Sequence, residues 1–226
     1  MWYLQKLFST ILVILFTHSL CLSQRIVKHF SADSISFYKT DPTCAQNKII
    51  PTEFNSVINI ALSYYPELCT TKIKFKVKHK MAPLSARPTL VSVFRKPSKR
   101  QYLIFISSKT SKKFSPILLK NLSLNAQIGV IGHELSHLSE YQPKRCFFFI
   151  SLAMKQLSQK SMDKFEFNTD RRIIEHNLGY QLLAWSIEVR QNLNMNKWGG
   201  ANNPKRERYM NPDTIQNIIN ASTKYN

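Results

Sequence analysis

Acidic residues are scarce in this chain of 226: 13 Asp and Glu stand against 32 Lys and Arg, a formal net charge of +19. Glycine (5) and proline (10) are too few for a collagen-like or low-complexity linker protein. No internal repeat recurs at any period, which excludes a solenoid or a propeller. Past the N-terminal segment no apolar run approaches the roughly 20 residues that a membrane span requires. The hydrophobic content of 43% is too high for a disordered basic tail, and the length supports one domain with a core able to fold without staples.

Residues 1–23 carry a single charge, Lys6, then an apolar run from Leu7 to Thr17 and small residues at −3 and −1 of a cut after Ser23. That is the pattern of a cleaved signal peptide, too short for an anchor, and it predicts a secreted or periplasmic protein. Residues 24–226 then form a single domain. A lipoprotein reading through Cys21 is weaker, since no small residue stands next to that cysteine. In an oxidising compartment Cys44 and Cys69 could bridge and leave Cys146 free; three unpaired thiols are the alternative.

The coarse pattern is α+β: a small antiparallel sheet followed by a mostly helical half. Residues 24–50 read as a loose lead-in. Pro51 and Glu53 open a helical pattern that stops at Pro66. Residues 72–80 alternate strictly, with Ile73, Phe75 and Val77 inward and five lysines outward, which predicts a half-buried strand. Two more strands are expected at 89–95 and 101–107, then helices at 115–123, 126–141, 147–160, 163–192 and from Pro212. Between Glu67 and Glu134 there is no acidic residue at all, so the sheet carries most of the positive field and favours anionic partners.

The chemistry centres on Gly132-His133-Glu134-Leu135-Ser136-His137. On a helix, Ile128, Ile131, Leu135 and Leu138 form the core stripe, and His133 and His137 fall on the opposite face one turn apart. Two imidazoles at i and i+4 can reach one zinc ion, and Glu134 sits where it can take a proton from water that the ion activates. A third ligand is needed. The candidates are Glu140, Asp163, Glu166, Glu175 and His176, and Glu166 is preferred because Asp170, one turn later, can accept the free N–H of a ligating histidine.

This His-Glu-x-x-His helix with a later helical Glu-x-x-x-Asp resembles the gluzincin zinc metallopeptidases, in particular the CAAX-protease and heat-shock-protease branch and its soluble secreted relatives. The resemblance covers about residues 100–191 and implies zinc on His133, His137 and Glu166, Glu134 as the base, and Asp170 behind a ligand. The chain departs from that branch in its shorter His137-to-Glu166 interval and in Thr169, where alanine is common. The family also uses a downstream His, Tyr or Arg to stabilise the oxyanion, for which His176, Tyr180 and Arg172 are candidates. An edge strand before the metal helix pairs with substrate in these enzymes, and 101–107 is placed for that role. Residues 146–154, the most apolar stretch of the mature chain, are too short to span a bilayer and are expected as a helix capping the active-site helices, with a membrane-dipping segment as the alternative. Asn121-Leu122-Ser123 and Asn220-Ala221-Ser222 are sequons, meaningful in a eukaryotic host.

The expected activity is hydrolysis of peptide or protein substrates, acidic ones favoured, at or near an anionic envelope or membrane surface. The alternative is a non-catalytic basic exported protein that binds anionic polymer or lipid and keeps a structural or vestigial zinc site. Nucleic acid is not the expected partner of an exported chain. No feature of the sequence sets an oligomeric state.

Overall fold

A computed structural model describes residues 25–33, 35, 42–155, 157–195 and 207–226. The proposed signal peptide and Cys21 lie outside the described residues. The architecture is α+β. Strands β1 (Lys48–Ile49), β2 (Lys72–Lys78), β3 (Leu84–Pro88) and β4 (Gln101–Ser107) form one sheet in the order β1-β2-β4-β3. Among the described residues, the helices longer than one turn are α1 (Asn55–Ser63), α2 (Leu124–Tyr141), α3 (Cys146–Lys155), α4 (Gln159–Glu175), α5 (Gly179–Asn192) and α6 (Pro212–Ala221).

The sheet is mixed, not antiparallel as expected. β1 and β4 both run parallel to β2, and only β3 is antiparallel, with Ala86 opposite Ile104. The long connections through α1 and through 79–100 permit parallel pairing, which a two-residue hairpin cannot. Ile73 and Phe75 are buried as expected, whereas Val77 is 39% exposed at the far end of β2.

The expected strand at 89–95 is instead a 3-10 turn, Val91–Phe94, and the strand antiparallel to β4 is β3, just upstream. Prolines at 83 and 88 hide β3 from a propensity reading, but an edge strand tolerates them because one side of its backbone needs no partner. Two 3-10 turns, Ser115–Ile117 and Leu119–Asn121, replace the helix expected at 115–123.

The single helix expected over 163–192 is broken into α4 and α5. Asn177 takes a left-handed backbone (φ 65°), its N–H donates to Ile174 O, and the Leu178 N–H donates to Ile173 O. This is a Schellman stop with asparagine in the glycine position. It turns the chain so that α4 and α5 pack on α2 from different directions.

α2 starts on Ser123, whose Oγ accepts from the Ala126 N–H. Ile128, Ile131, Leu135 and Leu138 are fully buried, as the periodicity requires. Gly129 is where α5 comes closest: a Cβ there would lie 2.2 Å from the Gln181 carbonyl oxygen. Tyr65, after α1, donates to Gly132 O (2.8 Å) and lies 2.8 Å from Ser136 Oγ, fixing α2 from its other side.

The lead-in is not loose where it is described. Phe30 is buried, and its N–H and C=O both bond the Asn125 side chain (2.9 and 3.0 Å). Cys44 and Cys69 form a disulfide across α1. At a sequence separation of 25, chain entropy assigns this link about 3.5 kcal/mol. Cys146 is free.

Candidate metal centre

α2 carries His133, Glu134 and His137, and α4, packed across it, carries Glu166, Thr169 and Asp170. All six side chains belong to buried residues. The sequence places the two histidines opposite the core stripe, which on an isolated amphipathic helix would face water. Here that face is covered by α4 and by residues 207–211.

His133 Nε2 lies 3.1 Å from Glu166 Oε2 and 3.1 Å from His137 Nε2, and His137 Nε2 lies 3.4 Å from the same carboxylate oxygen. Three ligand atoms thus form a small triangle inside the protein, and the group can hold a metal ion. The opposite ring nitrogens fix the tautomers. His133 Nδ1 is 2.9 Å from Asp170 Oδ1, and His137 Nδ1 is 3.4 Å from Thr169 Oγ1, whose own proton goes to Phe165 O (3.0 Å). Each imidazole therefore has an acceptor behind it for Nδ1–H, so that the neutral ring, the form a metal takes, aims its Nε2 lone pair into the triangle. Thr169, a departure from the resembled family, fills a definite position here.

The electrostatics match. Burial disfavours the His133 imidazolium, but the hydrogen bonds and charges of Asp170 and Glu166 outweigh it and raise its pKa to about 10. Burial also works against the Glu166 carboxylate, yet the two histidines hold it well below the usual range. The Glu166 carboxylate thus favours positive charge beside it. Glu134 is shifted upward, chiefly by burial and also by the Glu166 charge. Its Oε2 is buried and has no hydrogen-bond partner among the described residues.

His133 and Glu134 line a cleft of about 240 Å³ with Leu84, Val130, Trp185 and Tyr209. The Trp185 and Tyr209 rings lie 5.3 and 5.5 Å from the His133 ring. The open edge of the sheet borders the same space. The pairing of Pro83 O with Ser107 N–H and of Thr89 N–H with Gln101 O turns the peptide groups of Leu84 and Ala86 outward, and the Ala86 N–H meets Glu134. The expected substrate strand, Gln101–Ser107, is interior, between β2 and β3, and cannot serve. The edge is β3.

None of the three oxyanion candidates reaches this cleft. His176 pairs with Glu67 (2.9 Å) and stacks on Tyr65 at 4.2 Å, on the far side of α2. Arg172 pairs with Glu140 (3.3 Å), and Tyr180 packs on Tyr225. Of the other third-ligand candidates, Asp163 bonds Arg208 at 2.9 Å and Glu175 is exposed. α3 packs over the end of α2 and against α4, as the expected cap on the active-site helices, but with one face only. Phe148 and Phe149 pack on Tyr141, but Phe147, Ile150 and Met154 point to solvent.

Residues 207–211, which carry no recognisable motif, close the site from behind. Asp170 Oδ2 accepts the Met210 N–H (2.8 Å), Arg208 holds Asp163, and Ser186 Oγ donates to Met210 O (2.9 Å). Burial and the carboxylates of Glu166, Asp170 and Glu134 push the Tyr209 phenol well above its ordinary pKa, so it stays a hydrogen-bond donor. Nothing in the local sequence around Tyr209 announces this. No protein-family model, no curated protein and no solved structure matches the chain.

Proposed function

We propose that the protein is a secreted or periplasmic zinc-dependent endopeptidase, with His133, His137 and Glu166 as the metal ligands and Glu134 as the base. The observation that carries this reading is the convergence of His133 Nε2, His137 Nε2 and Glu166 Oε2 within 3.4 Å beside an unsatisfied buried carboxylate oxygen. A tetrahedral ion with bonds of about 2.0–2.1 Å needs donors about 3.3–3.4 Å apart, close to the spacing in the triangle. Two imidazoles and one carboxylate are the donor set that zinc takes when a fourth position is kept for chemistry.

Zinc in such a site lowers the pKa of water to about 7 and polarises a carbonyl. The chain supplies the rest. Glu134 accepts the proton at its free Oε2 and passes it to the leaving amine, and its raised pKa suits a group that must both take and give. Leu84 and the Ala86 carbonyl on the open edge of β3 can pair with an extended peptide backbone and hold the scissile bond over the cleft. Tyr209 lines the cleft beside His133, and its phenol, kept protonated, can donate to a developing oxyanion. Asp170 and Thr169 keep both imidazoles oriented.

The test compares the parent with Glu134→Gln, measuring bound zinc and cleavage of an unstructured protein. The reading expects unchanged zinc content and cleavage lowered about 10²–10⁴-fold. Undiminished cleavage by the variant would refute the mechanism. A zinc-loaded parent that cleaves nothing would leave the basic binding protein as the account.

A further inference from the structure

A second feature lies away from the cleft. The 3-10 turn Val91–Phe94 and helix α3 pack against each other, and between them they expose six large apolar side chains. Leu90, Val91 and Phe94 stand out from the turn, and Phe147, Ile150 and Met154 from the outer face of α3. All are more than half exposed, Phe94 reaching 81% and Phe147 75%. The spacing 147, 150, 154 places the second set on one helical stripe, while Phe148, Phe149 and Leu152 face inward.

Arg100 makes the two elements one rigid platform. Its side chain is buried, and it donates to Tyr141 O (3.1 Å) and Lys144 O (2.7 Å) ahead of α3 and to Arg95 O (3.2 Å) beyond the turn. Its guanidinium also lies over the Phe149 ring at 4.9 Å. A shallow depression between the elements brings Phe94, Arg95 and Lys96 next to Arg145 and Cys146.

The rim is of one sign. From Leu68 to Met162 the only carboxylates are Glu134, in the metal centre, and Glu140, paired with Arg172. The flanks of the platform carry Arg95, Lys96, Lys99, Lys144, Arg145 and Lys155. This charge pattern selects the occupant. Protein interfaces deplete lysine from their centres, and a second copy of this face would repel the first. A bilayer rich in anionic phospholipid takes apolar side chains at its boundary and lysine and arginine at its headgroups. No helix among the described residues is long and apolar enough to cross a membrane, so the attachment would be peripheral.

We infer that the Leu90–Phe94 turn and the outer face of α3 form a docking surface for anionic phospholipid membranes. The surface is one aromatic layer from the metal centre, since Phe148 and Phe149 pack on Tyr141 and Tyr141 stacks on His137 at 5.9 Å. The inference does not rest on the hydrolase reading, because its assay reads lipid binding alone.

The experiment partitions the full chain onto phosphatidylcholine vesicles with and without phosphatidylglycerol. It is run beside a Phe147→Asp, Ile150→Asp variant that shares the same N-terminal segment. The expected result is at least tenfold stronger binding to anionic vesicles, lost with added salt, and at least tenfold weaker binding by the variant at unchanged circular dichroism. As a local readout, a Phe94→Trp chain gains emission that shifts blue and is quenched by lipids brominated on their acyl chains. Equal binding by parent and variant, or an added tryptophan that lipid does not quench, would overturn the inference. A lipid-independent dimer abolished by the same substitutions would overturn it in favour of a second copy.

Discussion

Asp170→Asn is a small change in shape with a calculable effect at the metal centre. Asp170 Oδ1 faces His133 Nδ1 at 2.9 Å, and Oδ2 accepts the Met210 N–H at 2.8 Å. An amide has one acceptor and one donor end. If its oxygen keeps Met210, its NH2 group points at the His133 Nδ1–H, and two donors oppose each other inside the protein. The imidazole must then move its proton to Nε2, the atom that ligates, or turn away from the triangle. Loss of such a carboxylate–histidine support typically costs about 10–100-fold in metal affinity, or about 1.4–2.7 kcal/mol. Competition against a fluorescent zinc chelator measures it directly. Asp170→Asn should bind zinc 10–100-fold more weakly than the parent at the same stoichiometry, and Asp170→Ala should fall in the same range. Parent-like affinity in both variants would show that His133 needs no partner behind it, and the orientation argument would fail.

Three further outcomes follow from the same geometry. Metal uptake should release protons: with the metal-free His133 raised to about 10, ligation at pH 7.5 must expel about one proton, and affinity should climb about tenfold per pH unit below 10. Calorimetry in buffers of different ionisation enthalpy counts that proton, and a count of zero would refute it; without metal, the fold keeps the contribution of charged His133 below pH 6.5 and loses it as the pH rises through about 10. Tyr209→Phe should retain zinc and lower kcat about 10²-fold with little change in KM, as expected of a donor used only in the transition state. Gly129→Ala should cost about 3 kcal/mol, because its Cβ would meet the Gln181 backbone at 2.2 Å, and a melt should show Tm lower by roughly 6–12 °C.

The legible parts of the sequence were those in which one element carries its own signal. Strict alternation marked β2, and the apolar stripe with its histidines marked α2. The i, i+4 spacing and the acid pair at 166 and 170 foretold the side chains that meet. The missing parts depend on partners distant in sequence. β3 is a strand because β4 offers it an edge, not because Leu84-Ser-Ala-Arg-Pro favours one. The break between α4 and α5 rests on Asn177 adopting a left-handed backbone, a weaker marker than glycine. His176 looked available to substrate, yet Glu67, 109 residues away, claims it. Tyr209 and Met210 reach the site because Asp170 has a second oxygen to satisfy. Which face of α3 is covered was not legible, because a helix apolar all round carries no stripe to orient it, and only contacts with Tyr141 and α4 select Phe148, Phe149 and Leu152.

The central claim is that three side chains from two helices hold one metal ion. A zinc-soaked crystal, with data collected on both sides of the zinc absorption edge, tests it most directly. The account expects one anomalous peak per chain, about 2.0–2.1 Å from His133 Nε2, His137 Nε2 and a Glu166 carboxylate oxygen. No peak at that triangle, or full zinc occupancy at another set of ligands, would contradict it.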